Sequence, residues 1–130
     1  MVAFDQQAFR RRIRDYVAAN VPDLPYRVGT RSPEDEHESV ILRGWSAQLY
    51  AAGFYGADWP EEFGGRGDDY HAIEELLVTE ELAKARAPIP IGSGSLAAHA
   101  LLHFGTIEQQ RMYLPKIRSY EHVWCQLFSE

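Results

Sequence analysis

Apolar positions along this chain recur at helical spacing in successive stretches, each closed by a cap, a proline or a glycine. Phe9, Ile13, Tyr16 and Val17 form the first stripe, with Arg10, Arg11, Arg12 and Arg14 turned outward as a solvated face. Asp5 stands as its N-cap, and Phe4 and Phe9 are placed to meet across the first turn as a staple. Val21-Pro22 and Leu24-Pro25 stop this helix near Asn20. Ser32-Pro33 then offers a cap followed by proline at the first helical position, with Glu34, Asp35 and Glu36 at the positive end of the dipole. Ile41, Trp45, Leu49 and Ala52 continue one face until Gly53 ends it.

A third helix is expected from a cap at Asp68 or Asp69 to about Arg86, with Ile73, Leu76, Leu77 and Leu82 as its apolar face. After Ala87-Pro88-Ile89-Pro90 and a Gly-Ser run, a fourth spans roughly Ser95 to Phe104 and is closed by Gly105. Thr106 with Gln109 reads as a capping box for a short fifth helix ending at Leu114-Pro115. From His122 the pattern changes. Val123-Trp124-Cys125-Gln126-Leu127-Phe128 is rich in β-formers and too short for a stable helix, so it reads as a strand. The expected fold is all-α: a bundle of about five or six helices with a terminal β-strand stub. One strand has no sheet to join here, so the chain reads as a fragment that stops where a β-rich domain begins.

Between the second and third helices lies Gly53-Phe54-Tyr55-Gly56-Ala57-Asp58-Trp59-Pro60-Glu61-Glu62-Phe63-Gly64-Gly65-Arg66-Gly67. A plain linker would be polar; this one carries a Trp, a Tyr and two Phe that must bury their rings. Pro60 keeps Trp59 out of helical geometry, and the glycines allow positive φ where the chain reverses. The loop is therefore expected to fold down onto the helices.

At 130 residues the chain holds one core, and its 45% hydrophobic and 25% charged content is ordinary for a soluble globular protein. A net charge of −6 argues against a nucleic-acid partner, which needs a basic face. The single cysteine, Cys125, cannot form an internal disulfide. No apolar run is long enough for a membrane span and no signal-peptide core is evident, so a cytoplasmic location is expected.

The run Trp59-Pro60-Glu61-Glu62-Phe63-Gly64-Gly65-Arg66-Gly67 resembles the Trp-Pro-Glu-Glu-Tyr-Gly-Gly-x-Gly signature of the acyl-CoA dehydrogenase family. Glu80-Glu81-Leu82-Ala83, Gly105-Thr106 through Gln109-Gln110 to Leu114-Pro115, and Trp124-Cys125-Gln126-Leu127-Phe128-Ser129-Glu130 agree with it in order and approximate spacing. The resemblance implies an N-terminal α-domain over residues 1–120 and the start of a middle β-domain over 121–130. It implies an FAD-dependent oxidoreductase acting on the α,β C–C bond of an acyl-CoA. A base takes the α-proton and flavin N5 accepts the β-hydride. That base lies in the family's C-terminal helical domain, so no catalytic residue is carried onto this chain. An acyl-CoA substrate, an electron-transfer partner and a homo- or hetero-oligomer are implied too. The alternative is a non-catalytic helical module that pairs with a chain supplying the β and C-terminal domains.

Site residues follow from the same resemblance. Gln126 and Phe128 match positions that pack the strand against the flavin, and Ser129 matches a hydroxyl residue that hydrogen-bonds the ring system. Gly92, Ser95, Leu96 and His99 fall in the segment from Pro88 to His99 that partly lines the acyl pocket. Its small residues, with a terminal segment similar to bacterial members acting on bulky acyl groups, favour a branched or polycyclic acyl group. The competing reading is that they let helices approach closely. Tyr120 stands in a turn where the family has glycine, which puts its backbone in question.

Other patterns carry less. His99 and His103 share a helical face, but Ala100 replaces the glutamate of HExxH and no third ligand is evident, so a metal site is not expected. Gly64-Gly65-Arg66-Gly67 matches neither phosphate-binding glycine motif and reads as a turn. Glu61-Glu62 and Glu80-Glu81 diverge as neighbours on a helix and read as solvated pairs.

Overall fold

A computed structural model describes residues 3–25, 32–90, 92 and 94–127. The helices are α1 (Gln6–Asn20), α2 (Glu36–Ala51), α3 (Glu74–Lys84), α4 (Gly94–Phe104) and α5 (Ile107–Arg118), joined by short 3₁₀ turns at Glu61–Phe63 and Gly67–Asp69. The fold is all-α. α1 packs along α3, α4 along α5, and α2 against α5. Phe9, Ile13 and Val17 of α1 meet Leu42, Trp45 and Leu49 of α2 and Leu77, Val78 and Leu82 of α3 in one core. Leu114 and Ile117 of α5 complete it with Ala98 of α4.

Several local signals act as the sequence predicts. Asp5 accepts a 2.9 Å hydrogen bond from the Ala8 N–H, and the Phe4 ring meets Phe9 at a tilt, 5.5 Å between centroids. Thr106 and Gln109 form the reciprocal capping box that opens α5. At the end of α2, Gly53 adopts φ 79°, and the Gly53 and Phe54 N–H groups bond back to Tyr50 and Leu49.

The loop of residues 53–67 is folded into the core. Phe54, Tyr55, Trp59 and Phe63 are all buried, Trp59 to 1% exposure. Its backbone closes on itself, Arg66 N–H donating to Ala57 O at 2.7 Å and Gly67 N–H to Trp59 O at 3.0 Å. The crossing leaves no room at Gly65, where a Cβ would lie 1.8 Å from Trp59 O. Arg118 seals the loop from α5, its guanidinium 5.6 Å from the Trp59 ring and donating to Tyr50 O at 2.7 Å.

Other expectations are corrected. The cap of α2 is Asp35, whose carboxylate accepts from Glu38 N–H at 2.8 Å, rather than Ser32. Asp35 has the extended backbone and short acid that capping needs. α3 begins at Glu74, not beside Asp68 or Asp69, because those residues are held in a 3₁₀ turn. Glu74 is pulled under by Arg66 and by the His71 N–H, which fixes the later start. Leu76, expected on the apolar face, is exposed. α5 runs through Pro115 to Arg118. The proline forfeits one helical hydrogen bond, at a cost of about 3 kcal/mol in a helix interior. Complete burial of Leu114 and Ile117 on either side holds the helix together.

Glu80-Glu81 is no solvated pair, nor are all the α1 arginines a solvated face. Glu81 is buried and takes Arg10 at 2.6 Å and Arg14 at 2.7 Å, while Arg10 also bonds Glu80 at 2.6 Å. Arg12 lies over Phe9, 5.0 Å from the ring centroid. The terminal strand is not formed among the described residues; 123–127 have no regular secondary structure. A strand is defined by hydrogen bonds to a neighbour, and the described residues supply no such neighbour.

Candidate functional site

The segment entering α4 borders a recess of about 220 Å³. Ile89, Pro90, Gly92, Gly94 and Ser95 line it together with Tyr50, Tyr55, Glu75, Thr79 and Tyr120. The segment is held at Pro88, whose carbonyl accepts from the Trp45 indole N–H at 2.7 Å. Tyr55 and Thr79 share a 3.0 Å hydroxyl–hydroxyl bond, and burial pushes the Tyr55 pKa up to about 12.

Of the expected acyl-wall residues, Gly92 and Ser95 line this recess; Leu96 is half exposed and does not. His99 sits one turn along α4. Its Nδ1 is 2.7 Å from Ser95 O and its Nε2 2.6 Å from Asp58 Oδ2. Both contacts are acceptors, so imidazolium, with a proton on each ring nitrogen, fits the geometry. Burial opposes that charge, but the hydrogen bonds to Asp58 and Ser95 prevail and the His99 pKa is raised. The other Asp58 oxygen, Oδ1, is buried without a hydrogen-bond partner among the described residues. His103 lies 6.4 Å from His99 ring to ring, and no group of three His, Cys, Asp or Glu residues among the described ones is arranged for a metal.

The small residues have different surroundings, and Gly94 both lines the recess and packs against α5. Gly94 is buried, and a Cβ there would approach Ile117 to 3.2 Å; Ala98 is fully buried. These two bring α4 close to α5. Gly92 has φ 80°, and its Cβ position lies 2.9 Å from Trp124 O. The recess lining at Gly92 therefore abuts the terminal segment directly.

That segment is anchored at its start. Tyr120 takes φ 56°, the left-handed geometry in question, and its carbonyl accepts from Arg43 at 2.8 and 3.0 Å. Arg43 also reaches Glu121 O, and beyond it residues 121–125 border a hollow of about 570 Å³. Trp124 packs edge-on against Tyr113 at 5.4 Å. Gln126 is exposed; Phe128 and Ser129 lie outside the described residues.

Sequence reasoning missed Asp58, Glu75, Tyr55 and Thr79. Glu75 hides behind its neighbour Glu74, and nothing local marks which of two adjacent acids turns toward a cavity.

Residues 4–121 match the family model "Acyl-CoA dehydrogenase, N-terminal domain". The chain is 37% identical over 130 residues to acyl-CoA dehydrogenase IpdE1 of Mycobacterium tuberculosis, covering 97% of this chain and 33% of that protein. It superposes on the ChsE4-ChsE5 complex from Mycobacterium tuberculosis with TM-score 0.61 and 30% identity, over 92% of this chain and 29% of the other. On a structure described as the Tcur3481-Tcur3483 steroid ACAD the TM-score is 0.67 and the identity 29%, over 91% of this chain and 29% of that one. The chain thus spans about a third of the length of these relatives.

Proposed function

The chain belongs to the acyl-CoA dehydrogenase family, and on that premise we propose that it is the N-terminal part of an FAD-dependent enzyme that desaturates an acyl-CoA between its α and β carbons. In this reading residues 1–120 are the α-domain and 121–130 open the middle β-domain. The observation that carries it is the contact between Gly92 and the Trp124 backbone. It brings the segment entering α4 beside the terminal segment, which supports a reading in which acyl chain and flavin meet there for hydride transfer.

This chain's share is to position and to enclose. Ser95 and Gly92 border the acyl group, and the His99–Asp58 bond fixes α4 against the loop beneath it. Gln126, Phe128 and Ser129 would lie along the flavin. The exposure of Gln126 and Leu127 leaves that surface open to a flat ring, which supports the reading. Bound flavin would supply the hydride acceptor; the base that takes the α-proton belongs to a domain beyond these residues. The steroid ACAD among the structural neighbours supports a bulky, ring-bearing acyl group.

A helical module paired with a separate chain is the second reading. It is favoured by the two-component naming of both structural neighbours. The two readings are compatible where a heteromer houses the active site. A cytoplasmic location and a separate electron-transfer partner accompany the proposal; no helix among the described residues is long and apolar enough to cross a membrane.

The test is to purify the protein with whatever polypeptides accompany it and add acyl-CoA without oxygen. Bleaching of a bound yellow flavin is the expected result; a colourless preparation unable to take up FAD would refute it. The 130-residue chain by itself should bind FAD more weakly than about 1 μM, because few contacts rarely offset the immobilisation of a large ligand.

A further inference from the structure

Pockets that enclose a whole ligand run to about 300–1,000 Å³, so the 220 Å³ recess beside α4 has room for only one end of a larger molecule. The lining from the segment entering α4 is mostly apolar or small. The lining from α3 and the loop is polar: Glu75 and Thr79 stand one turn apart on α3, with Tyr55 bonded to Thr79. The neighbouring acids of α3 have partners. Glu74 takes Arg66, and Glu81 takes Arg10, Arg14 and Lys84. The Glu75 carboxyl, by contrast, has no hydrogen bond or ion pair to any described residue. Burial, then the charge of Asp58, raises its pKa, against an opposing pull from His99. A carboxyl held partly out of water without a partner is costly unless a ligand completes its hydrogen bonding.

We propose that Glu75 is a specificity-determining residue, hydrogen-bonding a hydroxyl or ketone oxygen on the part of the acyl group that enters this recess. The proposal rests on the acyl-CoA dehydrogenase reading above and narrows its substrate class to oxygen-bearing acyl groups. A carboxylate accepts from a hydroxyl; a neutral carboxyl donates to a ketone; the Tyr55–Thr79 hydroxyls lie ready beside either. A saturated hydrocarbon end would leave the carboxyl unpaired, and sites built for a hydrogen bond reject ligands lacking it.

The experiment uses the complete enzyme with its accompanying polypeptides and three ring-bearing acyl-CoA thioesters of one skeleton. One carries a ring hydroxyl, one a ring ketone and one neither. The oxygenated substrate is expected to lead in kcat/KM by about 10- to 100-fold, the worth of one hydrogen bond to a charged or near-charged group. Whether hydroxyl or ketone leads reports which form of Glu75 binds. Glu75→Leu should remove the preference, mainly through KM of the oxygenated substrate, while Glu75→Gln, able to donate and accept, keeps most of it. A wild-type enzyme with no preference would overturn the proposal even if Glu75→Leu does not fold. So would a Glu75→Leu enzyme slowed equally on all three. Those outcomes leave the dehydrogenase reading standing. Failure of all three thioesters to bleach the flavin would refute that reading and this proposal with it.

Discussion

Residues 53–67 and residues 121–127 are both irregular and both carry tryptophan, yet the first is core and the second is largely surface. Trp59 is 1% exposed, whereas Leu127 is 91% exposed. Hydrophobicity alone does not separate them. The difference lies in the backbone. In 53–67 the N–H groups of Phe63, Gly64, Gly65, Arg66 and Gly67 all find carbonyls within the loop, so burial leaves few polar groups unsatisfied. Along 121–127 the described main-chain ties are confined to the start, at Arg43, the Glu121 N–H on Ser119 Oγ and the His122 N–H on Lys116 O. The rest is side-chain contact: Lys116 with Glu121, and the His122 and Trp124 rings on Tyr113. Aromatic density thus implies burial where the same stretch can also pair its own main chain.

The largest expected effect sets the two tryptophans against each other. Trp59→Ala should cost about 3–5 kcal/mol, the range for emptying a core of a large aromatic. Trp124→Ala should cost about 1 kcal/mol, as for an ordinary half-buried position. Gly65→Ala should approach the Trp59 loss, since the added carbon would overlap Trp59 O and force the loop crossing apart. Denaturant unfolding of the three variants measures this. Equal losses at Trp59 and Trp124 would erase the distinction between the two regions.

Next comes the tie between α1 and α3, made by Arg10, Arg14 and Glu81. Arg14, then Arg10 and Lys84, hydrogen-bond the Glu81 carboxylate and hold its pKa down at about 2, against the desolvation of its buried site. A depressed folded pKa means stability that is full above the ordinary glutamate value and lost as pH falls toward about 2. Glu81→Gln should cost about 3 kcal/mol at neutral pH, the lower end for breaking a buried pair. The gap from wild type should close on acidification through the range from about 4.3 downward. A loss that stays constant from neutral to acid pH would show that Glu81 matters for shape and not for charge.

What could be read in advance follows the range of the interaction involved. Asp5, Gly53, Thr106 and Gln109 act within a few residues, and their roles as caps and stops are visible in the string itself. Buried Glu81 needed Arg10 and Arg14 from a helix some 70 positions earlier, and no local pattern announces that. Pro115 shows the opposite failure: a strong local stop signal is overridden because Leu114 and Ile117 are wanted in the core. The recess was half legible. Gly92 and Ser95 come from the segment that the family resemblance marks, while Glu75 and Thr79 arrive from α3 by packing.

The turn joining α5 to the terminal segment gives a smaller effect and a cleaner control. Tyr120 and Arg86 both end helices in the left-handed conformation, at φ 56° each, where glycine is the usual occupant. Replacing Tyr120 removes a buried ring, so any variant should lose stability. The informative quantity is the difference between two variants that lose it equally. Tyr120→Gly should be more stable than Tyr120→Ala by about 1 kcal/mol, because only alanine retains the left-handed penalty. The reverse order, normal for an extended or helical site, would show that this turn relaxes once the ring is gone.

The smallest expected effect is the pH dependence of the pair that joins the loop to α4. His99 has a raised pKa in the folded chain: burial lowers it, but the hydrogen bonds it donates to Asp58 and Ser95, with the charges of Asp58 and Glu75, raise it more. Stabilisation by a raised histidine is complete below the ordinary imidazole pKa of about 6.5 and fades as pH climbs through the folded value. Since His99 is 36% and Asp58 26% exposed, solvent screening keeps the contribution to about 1 kcal/mol or less. His99→Gln keeps the size of the side chain and removes its titration. Wild type should exceed this variant by the full amount near pH 5.5 and by much less near pH 8.5, with the gap reduced by salt. Glu75 also titrates upward of its usual range and faces the same pair, so its ionisation weakens the fold in the same direction. Repeating the comparison in a Glu75→Gln background separates the two. If the pH dependence vanishes there, Glu75 is its source and the His99–Asp58 bond is a neutral one. If it survives, the loop that carries Trp59 is fastened to α4 by a bond that weakens in alkali.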